Sequence, residues 1–173
     1  MPPPTRRGQP GETTMLLYFM RHAEAEDTPP GRTDADRRLT ARGLSRSREA
    51  GVALRALGVE VGLILTSPLV RAVQTAELVA EALGAPVEQT SVLAGRLTTA
   101  SLRDLLEEQG HAETLMLVGH EPALSTVIGE LIGGAEVEMK KGAVACLDCQ
   151  AVVRGGATLL WLVNGRQLAL MAK

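Results

Sequence analysis

Short continuous apolar runs alternate with longer amphipathic stretches over most of this chain. Such runs read as strands buried on both faces, and the amphipathic stretches as helices. Met15–Met20 (MLLYFM) is the first run. Residues 21–38 are polar and rich in Pro, Gly and charge, and read as a long loop. Thr40 is placed to N-cap a helix reaching about Leu57, with Leu44, Ala50, Leu54 and Leu57 as its apolar stripe and Gly58 as its stop. Val61–Thr66 is a second strand. Ser67-Pro68 offers an N-cap and a proline at the first helical position, opening a helix to about Leu83 that Gly84 closes. Val87 and Val92 fall in or beside a short third strand. A helix is predicted over Ser101–Gln109, a strand over Thr114–Val118, and a helix over Pro122–Ile132 that Gly133-Gly134 stops.

The end of the chain reads differently. Val144–Val153, Thr158–Asn164 and Arg166–Met171 are strand-like, joined by Arg154-Gly155-Gly156 and by Asn164-Gly165. Asn-Gly is a strong hairpin signal. Alternating strands and helices imply an α/β fold, a three-layer α/β/α sandwich with a mostly parallel central sheet. The hairpins would add antiparallel strands at one side. A length of 173 residues leaves room for one domain. It is placed at residues 15–173, behind a tail at 1–14 that reads as disordered. Met15 is a second candidate start codon, because folded pattern begins there.

Composition removes several classes of function. Eighteen basic against 20 acidic residues give a formal net charge of −2, so no basic field gathers nucleic acid. Three aromatics, Tyr18, Phe19 and Trp161, make no stacking platform for single strands. No apolar run approaches the ~18 residues of a spanning helix. Cys146 and Cys149 are the two cysteines, too few for a disulfide framework. The expectation is a cytoplasmic monomer that binds neither nucleic acid nor membrane.

Ligands of open α/β sheets bind beyond the carboxyl ends of the strands. The residues there are Arg21-His22 after the first strand, Ser67-Pro68 with Arg71 one turn on after the second, and Gly119-His120-Glu121-Pro122 after the fourth. Two of the chain's three histidines thus lie at strand ends. Two Arg, two His and two helix N-termini converge into a cationic pocket suited to a phosphoryl group. One histidine can attack phosphorus through a neutral ring nitrogen, giving a phosphohistidine intermediate. Its other nitrogen must then donate a proton to a fixed acceptor. Arg21, Arg71 and a protonated His120 would supply the charge that a metal supplies elsewhere, so no metal or other cofactor is expected.

Met20-Arg21-His22-Ala23-Glu24 after an N-terminal strand resembles the signature of the histidine phosphatase superfamily, the phosphoglycerate-mutase-like family, with Ala23 where Gly is usual. Arg37–Gly43, Thr66–Ala76, Val118–Ser125 and Leu160–Val163 look like segments of its SixA-type phosphohistidine phosphatases. The resemblance implies a phosphoglycerate-mutase-like fold, His22 as the phosphorylated nucleophile, and Arg21, His22, Arg71 and His120 as the phosphate pocket. Many relatives carry a general-acid Glu after the third strand, but no Asp or Glu lies between Glu88 and Asp104 here. An imidazole leaves phosphorus far more readily than an alkoxide. A site without a dedicated acid therefore suits a phosphohistidine-bearing protein, such as a histidine-phosphotransfer domain. The alternatives are a phosphatase of a small phosphomonoester and a non-catalytic phosphate-binding module.

Other polar residues have plainer readings. Ser67 reads as an N-cap rather than a nucleophile. Arg37 either enters the pocket or pairs with Asp34 or Asp36 in solvent. Glu24, Glu26 and Glu121 are candidates to assist proton transfer, with solvated charge as the default. His111 reads as exposed, and Lys140-Lys141 as a solvated turn. Cys146 and Cys149, three apart on a strand, should face opposite sides of the sheet and bind no metal.

Overall fold

A computed structural model describes residues 15–28, 30–110 and 113–173. The tail at 1–14 and His111 lie outside the described residues. Strands β1 (Met15–Arg21), β2 (Leu63–Thr66), β3 (Val87–Gln89) and β4 (Thr114–Gly119) alternate with helices α1 (Ala41–Ala56), α2 (Val70–Leu83), α3 (Thr99–Glu108) and α4 (Ala123–Leu131). Strands β5 (Val144–Cys149) and β6 (Ala157–Val163) and helix α5 (Gly165–Met171) follow.

One six-stranded sheet has the order β3-β2-β4-β1-β5-β6. β1 to β4 run parallel, and β5 and β6 are antiparallel to their neighbours. Alternation along the central strands divides the core in two. Leu17, Phe19, Leu65, Leu115 and Leu117 pack toward α3 and α4. Tyr18, Met20, Ile64, Met116 and Val118 pack toward α1, α2 and α5. Each such fully buried side chain contributes roughly 1.5–3 kcal/mol. Cys146 and Cys149 go to opposite cores, as the strand period requires.

Most elements match the sequence pattern. Thr40 caps α1 by accepting from the Gly43 amide at 2.9 Å, and Gly84 ends α2 in the left-handed region at φ 70°. The chain terminus corrects one expectation. Residues 165–171 are helical, not a third hairpin strand. Asn164 begins that helix: its backbone amide donates to Gln167 Oε1 at 2.9 Å and its backbone oxygen accepts from the Gln167 amide at 2.9 Å, so the residue opens a helix instead of turning a hairpin. β5 also ends at Cys149, short of Val153. The start of α2 differs as well. Its N-cap position is Leu69, without a side-chain cap.

The topology creates a crevice. From β1 the chain crosses to β2 on one side, and from β4 it crosses to β5 on the other. β1 and β4 are neighbours, so their carboxyl ends flank a topological switch point, where such sheets bind ligands.

Candidate active site

Backbone hydrogen bonds tie the strand ends together. The His22 amide donates to Gly119 O at 3.2 Å, and the Ser67 amide to Val118 O at 3.0 Å. Gly142 N reaches the carbonyls of both Arg21 and His22, at 3.2 and 3.1 Å. Gly43 lets α1 approach this loop, because a Cβ there would stand 2.1 Å from Glu24 O. The four expected residues are brought together on this frame, with His22, Arg71 and His120 only 6, 6 and 7% exposed.

His22 Nδ1 lies 2.7 Å from Ala23 O. A carbonyl only accepts, so Nδ1 carries the proton and Nε2 keeps its lone pair. Arg71 Nε donates toward that lone pair at 3.4 Å. Burial is the main force on the ring and, with His120, Arg71 and Arg21 nearby, brings its pKa down to about 3. His22 is therefore neutral at physiological pH, as a nucleophile needs.

His120 lies beside it, with ring centroids 5.1 Å apart. Its Nε2 is 2.8 Å from Ser67 Oγ, while Nδ1 is buried without a protein partner. Burial, then Arg71, pushes its pKa down to about 4. Without a ligand the protein holds His120 neutral, with the Asp34 carboxylate pulling the other way, and a bound anion would add to that pull. Arg21 donates from Nη1 to Met139 O at 2.9 Å, and its buried Nε has no partner. The unpartnered Nε of Arg21 and the start of α2, which no side chain caps, leave the pocket lined by groups that seek an anion.

The sequence misses three contributors. Ser67 accepts from the Leu69 amide at 3.2 Å and supports His120, so its hydroxyl serves the pocket more than the helix. Thr75 accepts from the Ala23 amide at 3.1 Å and donates to Arg71 O at 2.7 Å, linking α2 to the His22 loop. Asp34, in a short 3-10 turn, accepts from Arg71 Nη1 on its backbone oxygen and from Nη2 on Oδ2, at 2.7 and 2.8 Å. Only the Asp34–Arg37 half of this arrangement was legible, and that ion pair closes at 3.0 Å. Arg37 therefore braces Asp34 instead of entering the pocket.

The candidate acids are largely engaged. Glu24 accepts from Thr40 Oγ1 at 3.3 Å and pairs with Arg42 at 4.0 Å. Glu121 accepts from the Ser125 amide and hydroxyl. Glu26 is exposed, and its backbone oxygen accepts from Arg37 Nε at 2.6 Å.

A family model described as histidine phosphatase superfamily (branch 1) matches residues 17–96. An uncharacterized protein of Picosynechococcus sp. is 42% identical over 113 residues, 64% of this chain and 68% of that protein. Phosphohistidine phosphatase SixA of Escherichia coli is 30% identical over 126 residues, 69% of this chain and 76% of that protein. The solved structure of the protein histidine phosphatase SixA with tungstate superposes with a TM-score of 0.76 at 27% identity, covering 89% of this chain and 99% of that one.

Proposed function

The chain belongs to the histidine phosphatase superfamily as a SixA-like phosphatase, and we propose that it hydrolyses phosphohistidine on a protein substrate without a metal. In this reading the His22 Nε2 lone pair attacks phosphorus, and Arg71, Arg21 and His120 hold the equatorial oxygens. The Nδ1 proton, fixed on Ala23 O, keeps the nucleophile in the reactive tautomer. A dianionic phosphoryl group would draw His120 toward its charged form. Water then attacks the phosphorylated His22 and releases phosphate.

The observation that carries the substrate reading is the state of the carboxylates. Glu24 is paired with Thr40 and Arg42, Glu121 with Ser125, and Asp34 with Arg71 and Arg37. None of the three is free to protonate an alkoxide, and Glu26 is exposed with only its backbone oxygen engaged; an imidazole that carries a proton on its other nitrogen leaves without such help. The similarity to proteins named for phosphohistidine supports the same choice. The test is a set of steady-state rates, with EDTA present, on a phosphohistidine peptide and a panel of small phosphomonoesters. Preference for the peptide by at least about tenfold in kcat/KM is expected. Equal or greater rates on alkyl phosphates would transfer the assignment to a small phosphomonoester, and loss of activity in EDTA would remove metal independence.

A further inference from the structure

The acid held against Arg71 has chemistry of its own, which rests on the phosphohistidine reading above. A guanidinium presents two hydrogen-bonding edges. Asp34 occupies the end-on edge of Arg71, through its backbone oxygen on Nη1 and Oδ2 on Nη2. The side edge, Nε–H with the second Nη2–H, is left for a phosphoryl group in front of His22 Nε2, which Nε already approaches at 3.4 Å. The Asp34 carboxylate thus stands one guanidinium away from the reacting phosphorus. Its side chain is 61% exposed whereas that of Arg71 is 7% exposed, so it lies on the solvent side. The leaving group must depart that way, because the nucleophile occupies the buried floor.

Two arginines hold this carboxylate. Hydrogen bonds from Arg37 and then Arg71 keep its pKa below the ordinary value. It therefore remains an anion at neutral pH, a poor proton donor and a good acceptor. Two contacts to its oxygens leave further lone pairs available.

We propose that Asp34 is the specificity-determining acceptor for the leaving imidazole of phosphohistidine: its carboxylate receives the N–H of the ring nitrogen that does not bear phosphorus. This contact favours the imidazolium form of the substrate, with phosphorus on one nitrogen and a proton on the other. The His22 Nε2 lone pair forms the new N–P bond. The substrate's N–P bond breaks, and its electron pair returns to the departing ring. That ring leaves as neutral imidazole and keeps the proton on its other nitrogen, so no proton has to reach the departing atom. An aryl or alkyl leaving group has no such N–H and departs as an anion beside the carboxylate. Asp34 therefore separates the two substrate classes.

The variant Asp34→Asn tests this, because its amide oxygen still accepts from Arg71 Nη2 and its backbone oxygen is unchanged. kcat/KM is measured on phosphoimidazole and on p-nitrophenyl phosphate for wild type, Asp34→Asn and Asp34→Ala. The expected result is a fall of at least about tenfold in the ratio of phosphoimidazole to p-nitrophenyl phosphate in both variants. An equal fall on both substrates would make Asp34 only a support for Arg71 and overturn the proposal, leaving the phosphohistidine reading intact. A wild type that hydrolyses p-nitrophenyl phosphate but not phosphoimidazole would overturn that reading, and the Asp34 assignment with it.

Discussion

The floor and the rim of the pocket are built by different means. The floor consists of His22, His120 and Arg71, all nearly buried, set at strand ends and a helix start by backbone hydrogen bonds. The rim is the 3-10 turn Asp34–Asp36 with Arg37, more exposed than the floor and held by side-chain contacts. Groups on the floor cannot move without disturbing the sheet, so they suit steps that every phosphoryl transfer shares. Groups on the rim move at little cost and meet the variable part of the substrate. The contrast assigns rate to the floor and choice of substrate to the rim.

The sharpest test of the floor is His22→Ala. Turnover should fall by roughly 10⁴-fold or more, because the covalent route is removed. Alkaline quenching of wild type with labelled substrate should trap an acid-labile, alkali-stable phosphoenzyme that the variant lacks. Phosphate recovered on Ser67 would instead move the nucleophile. Arg71→Lys comes next, at on the order of 10²-fold in kcat/KM, since a point charge reproduces neither edge of the guanidinium. Wild-type kinetics in that variant would end the two-edge description of Arg71.

The pH response of the floor has a definite sign. His22 and His120 titrate near 3 and 4 in the folded protein, below the ordinary 6.5. The unfolded chain therefore binds more protons between about pH 3 and 6.5, and stability falls as pH drops through that window. Attack by His22 needs the neutral ring, so in the folded enzyme His22 itself imposes no loss of kcat/KM between pH 7 and 5. Denaturant midpoints measured from pH 7 to 4 should decline, with a shallower decline in His22→Asn. A midpoint independent of pH over that range would mean that both rings titrate normally.

How much of this was legible follows the same division. The floor was readable because buried strands announce themselves as apolar runs, and the residues just beyond them are fixed by the topology. Arg21, His22 and His120 follow from that rule, and Arg71 from the helix turn that comes after β2. The rim was not readable, because its geometry depends on which donors a flexible polar loop meets after folding. Asp34 therefore appeared in the sequence only as a partner for Arg37, never for Arg71. Ser67 misled for a related reason: Ser-Pro is a good helix start locally, but the hydroxyl is also within reach of His120. Asn164-Gly165 misled because the same dipeptide serves a hairpin or a helix cap, and only Gln167 three residues on distinguishes them.

Arg37→Ala probes the rim with the smallest expected effect. Arg37 donates from Nη1 to Asp34 Oδ1 at 3.0 Å and from Nε to Glu26 O at 2.6 Å. The Asp34 side chain is mostly in water, and exposed pairs of this kind contribute about 0–1 kcal/mol. Arg71 continues to hold Asp34 through Oδ2 and the backbone oxygen. The turn should therefore keep its position, and kcat/KM on p-nitrophenyl phosphate should change by less than about fivefold. Adding salt to wild type should have an effect in the same direction, since it screens the same pair. A loss as large as that of Arg71→Lys would show that the rim is continuous with the floor. In that case rate and substrate choice are not separable, and the division between the two regions fails.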